Sequence, residues 1–172
     1  MAQDPETVQI STRLVRKEDL PVLAVFEREL AKLAFPRDPI TDLGYHQAKL
    51  KRALRTEPEG LVVLTSAEDD SDIVGWLWLT GKTALATGER YGIIRSLYVR
   101  HDLRRQGLAA ALAAYAQRYF TTRDIRRVVA KMHVNNEAAR RTLERLGFRP
   151  LHLTLEWRAA PSPDDPRPET DY

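Results

Sequence analysis

The stretch SLYVRHDLRRQGLAAAL, residues 96–112, decides the fold of this chain. Its apolar beginning predicts a buried strand that starts near Tyr91 and ends at Val99, and its Ala/Leu-rich end predicts a helix. Between them lies a polar segment, residues 104–109, with the sequence RRQGLA, which we term the basic turn. We therefore predict a central strand, a basic turn, and a helix from residue 105 to about residue 121.

The basic turn has the features of a phosphate site. The first backbone N–H groups of a helix have no partner inside the helix, and the helix dipole is positive at that end. Gly107 lacks a Cβ, so an anion can approach the backbone closely. Arg104 and Arg105 can donate paired hydrogen bonds to phosphate oxygens. The alternative is that these arginines form an ordinary solvated helix start. The turn lacks the three glycines of a Rossmann turn.

A second block lies downstream, where Asn136-x-x-Ala139 is followed by Leu143 and then by Leu146-Gly147-Phe148. The two blocks resemble the signatures Q/R-x-x-G-x-G/A and N-x-x-A-x-x-x-Y-x-x-x-G-F of the GNAT N-acetyltransferase superfamily. Their order and separation agree with that family, and the resemblance extends from about Val8 to Trp157. It implies an α/β (α+β) fold with a central mixed, mostly antiparallel sheet of six to seven strands and about four flanking helices. The domain would span residues 1–158.

The resemblance also implies a function, the transfer of an acetyl group from acetyl-CoA to a primary amine by direct attack. In that family the central strand binds the pantetheine arm through its backbone, the first signature binds the pyrophosphate, and the Asn of the second block contacts the arm. The cofactor-binding positions implied here are Leu97, Val99, Arg104, Arg105, Gly107, Leu108, Ala109 and Asn136.

Two positions depart from the family pattern, and both concern proton transfer. Leu143 stands where the family often has a Tyr that protonates the thiolate, and Arg95 stands where many members have a Glu that acts as the base. We consider Glu89, acting through water, and Tyr98 as substitutes, although Glu89 also fits an exposed loop carboxylate. Arg95 would either lower the pKa of the acceptor ammonium or bind a carboxylate or phosphate of the substrate.

Four residues are candidates for the acceptor side of the site. The two-helix region that follows the first strand flanks the acceptor in relatives of this family, and Trp76 shares one face of a strand with Trp78. For the aromatic residues the competing interpretation is burial in the core, since large aromatic side chains usually bury. The candidates are Phe35, Asp38, Tyr45 and Trp76.

The net charge of +3 hides a strong asymmetry along the chain. Residues 95–149 hold 13 basic and 4 acidic residues, whereas residues 1–94 hold 12 basic and 15 acidic residues. The positive field would attract the phosphates of CoA. It would also suit a nucleic-acid-binding module, but the arginines lack the interleaved aromatics that stack bases, so we expect no nucleic acid partner. A third alternative keeps the fold without the chemistry, as a CoA-binding regulator.

Other features limit the location and the chemistry of the protein. The chain has no cysteine, no apolar run long enough to span a membrane and no secretion signal at its start, which favours a cytoplasmic protein with no membrane partner. The four histidines match no metal-ligand spacing, so we expect no metal. Residues 159–172 are rich in Pro, Asp and Glu, which predicts a disordered tail.

The remaining segments have clear secondary-structure patterns. We predict a first strand over residues 8–15, helices that begin near Asp19 and Asp42, a hairpin of residues 61–65 and 73–79, a strand over residues 128–132 and a helix from Asn135 to Leu146. The alternating Leu151, Leu153, Leu155 and Trp157 predict a closing strand. Because this strand is short, pairing with a second copy in a homodimer is an alternative for it.

Overall fold

Five strands form a mixed sheet in the computed structural model, which describes residues 9–157. The sheet has the order β1-β2-β3-β4-β5, and each neighbouring pair is antiparallel except β4 and β5, which are parallel. This arrangement agrees with the predicted mixed, mostly antiparallel sheet. The strands are β1 Ile10–Leu14, β2 Leu61–Ser66, β3 Ile73–Thr83, β4 Arg90–Val99 and β5 Val128–Ala130.

Four helices accompany the sheet within residues 9–157, as predicted: α1 Leu20–Ala34, α2 Leu43–Thr56, α3 Leu108–Thr121 and α4 Glu137–Arg145. Helix α1 ends before Pro36, since proline disfavours helical backbone in the residue that precedes it. The carboxylate of Asp42 accepts the N–H groups of Gly44 and Tyr45 and thereby caps α2. Gly147, with φ of +88°, follows the end of α4 in the left-handed conformation that glycine favours.

Two predicted helix starts and one predicted side-chain cap needed correction. Helix α3 begins at Leu108 rather than residue 105, because Arg105 and Gly107 both have positive φ and cannot belong to a helix. Asn136, not Asn135, caps α4. The side chain of Asp19 does not cap α1, because its oxygens accept hydrogen bonds from the Arg13 guanidinium and the Arg16 N–H.

The helices lie on opposite faces of the sheet because the side chains of a strand alternate. On one face, α1 and α2 cover Trp76, Trp78 and Tyr98. On the other face, α3 covers residues such as Leu77 and Val99. We refer to the two sides as the α1/α2 face and the α3 face.

The strand count differs slightly from the predicted six to seven, because the predicted closing strand over residues 151–157 does not form. No strand of the described chain pairs with this segment. Its apolar side chains are therefore exposed, and pairing with a second copy stays a prediction. They are Leu151, Leu153, Leu155 and Trp157.

Two other predictions lie outside the described residues, namely the inclusion of Val8 in the first strand and the disordered tail over residues 159–172. No helix within residues 9–157 combines the length and the apolar character needed to cross a membrane.

Candidate active site

Strand β4 is paired on both sides in its first half and on one side in its second half. The parallel pairing with β5 joins Gly92 to Val128 and ends where Ile94 lies opposite Ala130. Pairing with β3 continues to Val99. Residues 96–99 therefore have an edge, on the side away from β3, that no strand of the described chain covers. We term it the open edge.

A bulge at Arg95 sets the direction of the backbone groups along this strand. Trp78 lies opposite Ser96 and the next residue of β3, Leu79, lies opposite Ile94, so Arg95 is an extra residue without a partner. The Gly92 N–H points toward β5, where it donates to the carbonyl of Arg127. After the bulge, the alternation of N–H directions along the strand is shifted by one residue.

The direction of the Arg100 N–H shows which groups face the open edge. This N–H donates to the Val74 carbonyl of β3. Because successive N–H groups along a strand point to opposite edges, the N–H groups of Val99 and Leu97 point away from β3. The sequence candidates Leu97 and Val99 thus present two backbone donors at the open edge.

The basic turn follows directly and presents further backbone donors. Arg105 has φ of +66° and Gly107 has φ of +80°, and Gly107 is the N-cap of α3 without a side-chain cap. The first bond of the helix is donated by Ala111 to the Gly107 carbonyl. Within residues 9–157 no acceptor takes the N–H groups of residues 105–110, which include Leu108 and Ala109. Consecutive free N–H groups in such a turn form a concavity that binds anions.

Charged side chains surround this concavity. The Nε–H of Arg104 donates to the Val99 carbonyl at 3.1 Å, and its guanidinium lies 5.4 Å from the centre of the Tyr98 ring. Arg105 is exposed and has no ion pair within the described chain. The hydrogen bond from Arg100 lowers the pKa of Asp102, so Asp102 stays ionised as the partner of Arg100.

Asn136 lies at the start of α4, where its side chain has a structural role. Its Oδ1 accepts the N–H of Ala139 at 3.2 Å and caps the helix. Because the oxygen makes this bond, the side-chain NH₂ is the part of Asn136 that remains to donate to a ligand.

Tyr98 points to the α1/α2 face rather than to the open edge. Its ring stacks on Phe26 of α1 with a centroid distance of 4.5 Å, and only 7% of the residue is exposed. It borders a cavity of about 380 Å³ between α1 and the start of the basic turn. The other residues that line this cavity are Glu29, Lys32, Leu33, His101 and Arg104.

Glu89 lies far from the basic turn. It immediately precedes β4, whose ten residues span roughly 30 Å before Val99. Its carboxylate forms an ion pair with Arg127 at 3.0 Å. The structure therefore does not bring Glu89 together with the open edge.

The substrate-side candidates separate into exposed and buried residues. Phe35 is 66% exposed and Tyr45 is 49% exposed, so the core interpretation of these two residues is wrong. Asp38 is exposed on the segment that links α1 to α2. Trp76 is fully buried, and its Nε1–H donates to the Glu27 carboxylate at 2.9 Å, so it packs the core instead of lining a surface.

Three charged residues that the sequence analysis missed lie on the α1/α2 face. Glu27 is only 4% exposed and is paired with Lys49 at 2.7 Å. Glu57 accepts hydrogen bonds from Trp78 and Thr80. The sequence contains a signal for Glu27, which falls four residues after Leu23 on the apolar stripe of α1, but none that we recognise for Glu57.

The structure offers no comparable arrangement for a metal. Nowhere in residues 9–157 do three His, Asp or Glu side chains form a group that could hold a metal ion.

Comparison with known proteins gives a family and a fold. Residues 25–148 match the family model described as the Acetyltransferase (GNAT) family. No curated protein matches the chain in sequence. Among solved structures, a possible acetyltransferase from Clostridium difficile 630 is similar with a TM-score of 0.70 and 22% identity, over 88% of this chain and 97% of that one.

Two further structures have more specific names. A ribosomal-protein-alanine N-acetyltransferase from Brucella melitensis biovar Abortus 2308 has a TM-score of 0.64 and 21% identity, over 88% of this chain and all of that one (100%). The aminoglycoside N-acetyltransferase AAC(6')-Iy in complex with CoA has a TM-score of 0.66 and 19% identity, over 91% and 99% of the two chains. At these identities the likeness shows a shared fold.

Proposed function

Because the chain belongs to the GNAT acetyltransferase family, we propose that it is an N-acetyltransferase that uses acetyl-CoA and acetylates a primary amine by direct attack. The observation that carries this proposal is the continuity of two sets of free backbone donors. The N–H groups of residues 105–110 meet the open edge of β4, where Leu97 and Val99 present theirs. Diphosphate and an amide-bearing arm are the groups that such donors fit.

The open edge also has a closed end, which supports a location for the proposed chemistry. From Val99 back to Ser96 the edge is about 10 Å long, and it ends where the pairing with β5 ends at Ile94. An arm that enters from the basic turn would therefore end its course near the bulge at Arg95. The Leu97 N–H, the donor of the open edge nearest to the bulge, would then face the thioester carbonyl, whose oxygen gains negative charge during attack.

The chain itself has to orient the acceptor and remove a proton from it. A primary ammonium has a pKa of about 10.4, and it must become a neutral amine before attack. The thiolate of CoA needs less help to leave, since the pKa of a thiol is about 8.5. Tyr98 and Arg95, whose side chains lie on the α1/α2 face, remain our candidates, whereas the position of Glu89 argues against a direct role.

Gly107→Glu tests the proposal. The new carboxylate would enter the concavity, where a Cβ meets no atom within 4 Å, and would repel the diphosphate. We expect CoA binding, measured by calorimetric titration, to be abolished. Gly88→Glu is the matched control, because Gly88 has a similar φ of +71° and equally open surroundings but lies before β4. Equal CoA affinity in the two variants would contradict the assignment.

A second measurement separates an enzyme from a CoA-binding regulator. The protein is incubated with acetyl-CoA and a broad panel of primary amines, and the release of free thiol is followed. We expect amine-dependent release that Gly107→Glu removes. Tight CoA binding without any amine-dependent release would support the regulator instead.

A further inference from the structure

The α1/α2 face carries a cation that pairs with no residue of the described chain, at the bulge where the proposed function brings the thioester. The bulge turns Arg95 toward this face, and its guanidinium lies 4.7 Å from the centre of the Trp78 ring. Arg95 is exposed, and it makes no hydrogen bond or ion pair with any other described residue. A guanidinium with free donors, held over an indole ring, is suited to bind a carboxylate with two hydrogen bonds.

A carboxylate without a cationic partner lies at the edge of the same indole. Glu57 follows α2 and is half-buried. One of its oxygens accepts the Nε1–H of Trp78 at 3.3 Å, and the other accepts the hydroxyl of Thr80 at 2.9 Å. Two neutral donors thus fix the carboxylate, and no ion pair within residues 9–157 neutralises it.

Two other charged residues near Trp78, Glu27 and Lys49, do form an ion pair with each other, unlike Arg95 and Glu57. Both lie on the same face, and Lys49 is 5.1 Å from the centre of the Trp78 ring. Glu27, however, is bound to both Lys49 and Trp76, so each of these charges is already satisfied. Among the described residues around Trp78, Arg95 and Glu57 are the two charged groups that no ion pair neutralises.

We infer that Arg95 and Glu57 bind an acceptor that carries both an ammonium and a carboxylate, as an amino acid does. The acceptor carboxylate binds Arg95, and its ammonium is directed to Glu57. This assignment rests on the proposed function, which brings the thioester to the bulge. Of the two roles that the sequence leaves open for Arg95, it selects anion binding.

The chemical step then balances with the groups present. The ammonium gives one proton to Glu57, directly or through a water molecule, and the neutral nitrogen forms a bond to the acetyl carbon. The C–S bond breaks, and its electron pair stays on the sulfur of CoA. The second proton leaves the new amide nitrogen and goes to the thiolate, which yields the acetylated acceptor and CoA. Glu57 returns its proton to the solvent.

The test uses pairs of amines that differ only in the carboxylate. The probes are the standard L-amino acids and the series glycine, β-alanine, γ-aminobutyrate and δ-aminovalerate, each compared with its primary amide. We expect kcat/KM for at least one acid to exceed that of its amide by about tenfold or more, the usual effect of a charged hydrogen bond. The chain length preferred within the series measures the separation of the two charges.

Two variants with matched controls assign the effect to residues. Arg95→Gln should remove the advantage of the acid over its amide by lowering kcat/KM for the acid much more than for the amide, whereas Arg90→Gln, at the exposed start of β4, should leave that ratio unchanged. Glu57→Gln keeps the shape but removes the charge and should lower kcat for both members about tenfold or more. Glu59→Gln, whose carboxylate pairs with Arg123, should not.

The outcomes distinguish this inference from the proposed function. If CoA binds but no acid is acetylated faster than its amide, or if Arg95→Gln affects both members equally, the inference is overturned while the proposed function stands. If CoA does not bind at all, both are overturned.

Discussion

The two halves of β4 share one backbone but have opposite surroundings. In the first half, residues 90–94, β3 pairs along one edge, β5 pairs with residues 92–94 along the other, and Gly92 lies against the ring of Phe120. In the second half, residues 96–99, one edge is open and the free N–H groups of the basic turn follow. The bulge at Arg95 lies between the two halves. The comparison suggests that the first half supplies rigidity and the second half supplies donors.

Gly92→Ala should have the largest effect on the first half. The new Cβ would lie 2.6 Å from a ring carbon of Phe120, which is fully buried and cannot move aside. Such overpacking costs about 1–3 kcal/mol, so we expect the free energy of unfolding in urea to fall by about that amount. CoA affinity of the folded protein should not change.

Gly81→Ala is the matched control. Gly81 lies opposite Gly92 in the sheet, but its Cβ would meet only Ile125, at 3.8 Å. We expect this variant to be as stable as the parent or more stable by up to about 1 kcal/mol. If the two alanine variants had equal stability, the first half would not be the tightly packed part of the strand.

Arg105→Gln should have an intermediate effect, and only on the second half. The change removes an exposed, unpaired cation beside the free N–H groups and keeps a side chain at the same positive φ. We expect the Kd for CoA to rise by up to about tenfold, with a difference that shrinks as salt is added. Arg126→Gln, which removes a cation paired with Asp124, should leave the Kd unchanged. If both variants raised the Kd for CoA equally, the basic turn would contribute only to the general positive charge of the protein.

Asn136 variants should have the smallest effects. Asn136→Ala removes the cap of α4 and should lower stability by about 1 kcal/mol, whereas Asn136→Ser keeps a capping oxygen and should not. Neither variant keeps the side-chain NH₂, so we expect both to weaken CoA binding by a few-fold. Parental affinity in Asn136→Ser would restrict Asn136 to its structural role and contradict the contact implied for it.

The family, the mixed sheet and the four helices could be predicted from the sequence because their signals are local. Asp42 caps α2 through N–H groups two and three residues further on, and Pro36 ends α1 by restricting the residue before it. Gly107 has its positive φ within the basic turn itself. The basic turn was predicted for the same reason. Helix α3, however, starts at Leu108 rather than at residue 105, because the backbone of Arg105 has the left-handed conformation. Its role in binding CoA remains a prediction.

The tertiary structure alone decided which side chains share a surface. The bulge that turns Arg95 onto Trp78 depends on the register between two strands, and the hydrogen bond from Trp76 to Glu27 joins residues 49 positions apart. Glu57 accepts hydrogen bonds from Trp78 and Thr80, which lie 21 and 23 positions further along the chain. Such contacts depend on how whole elements pack together, and no local pattern of residues encodes them.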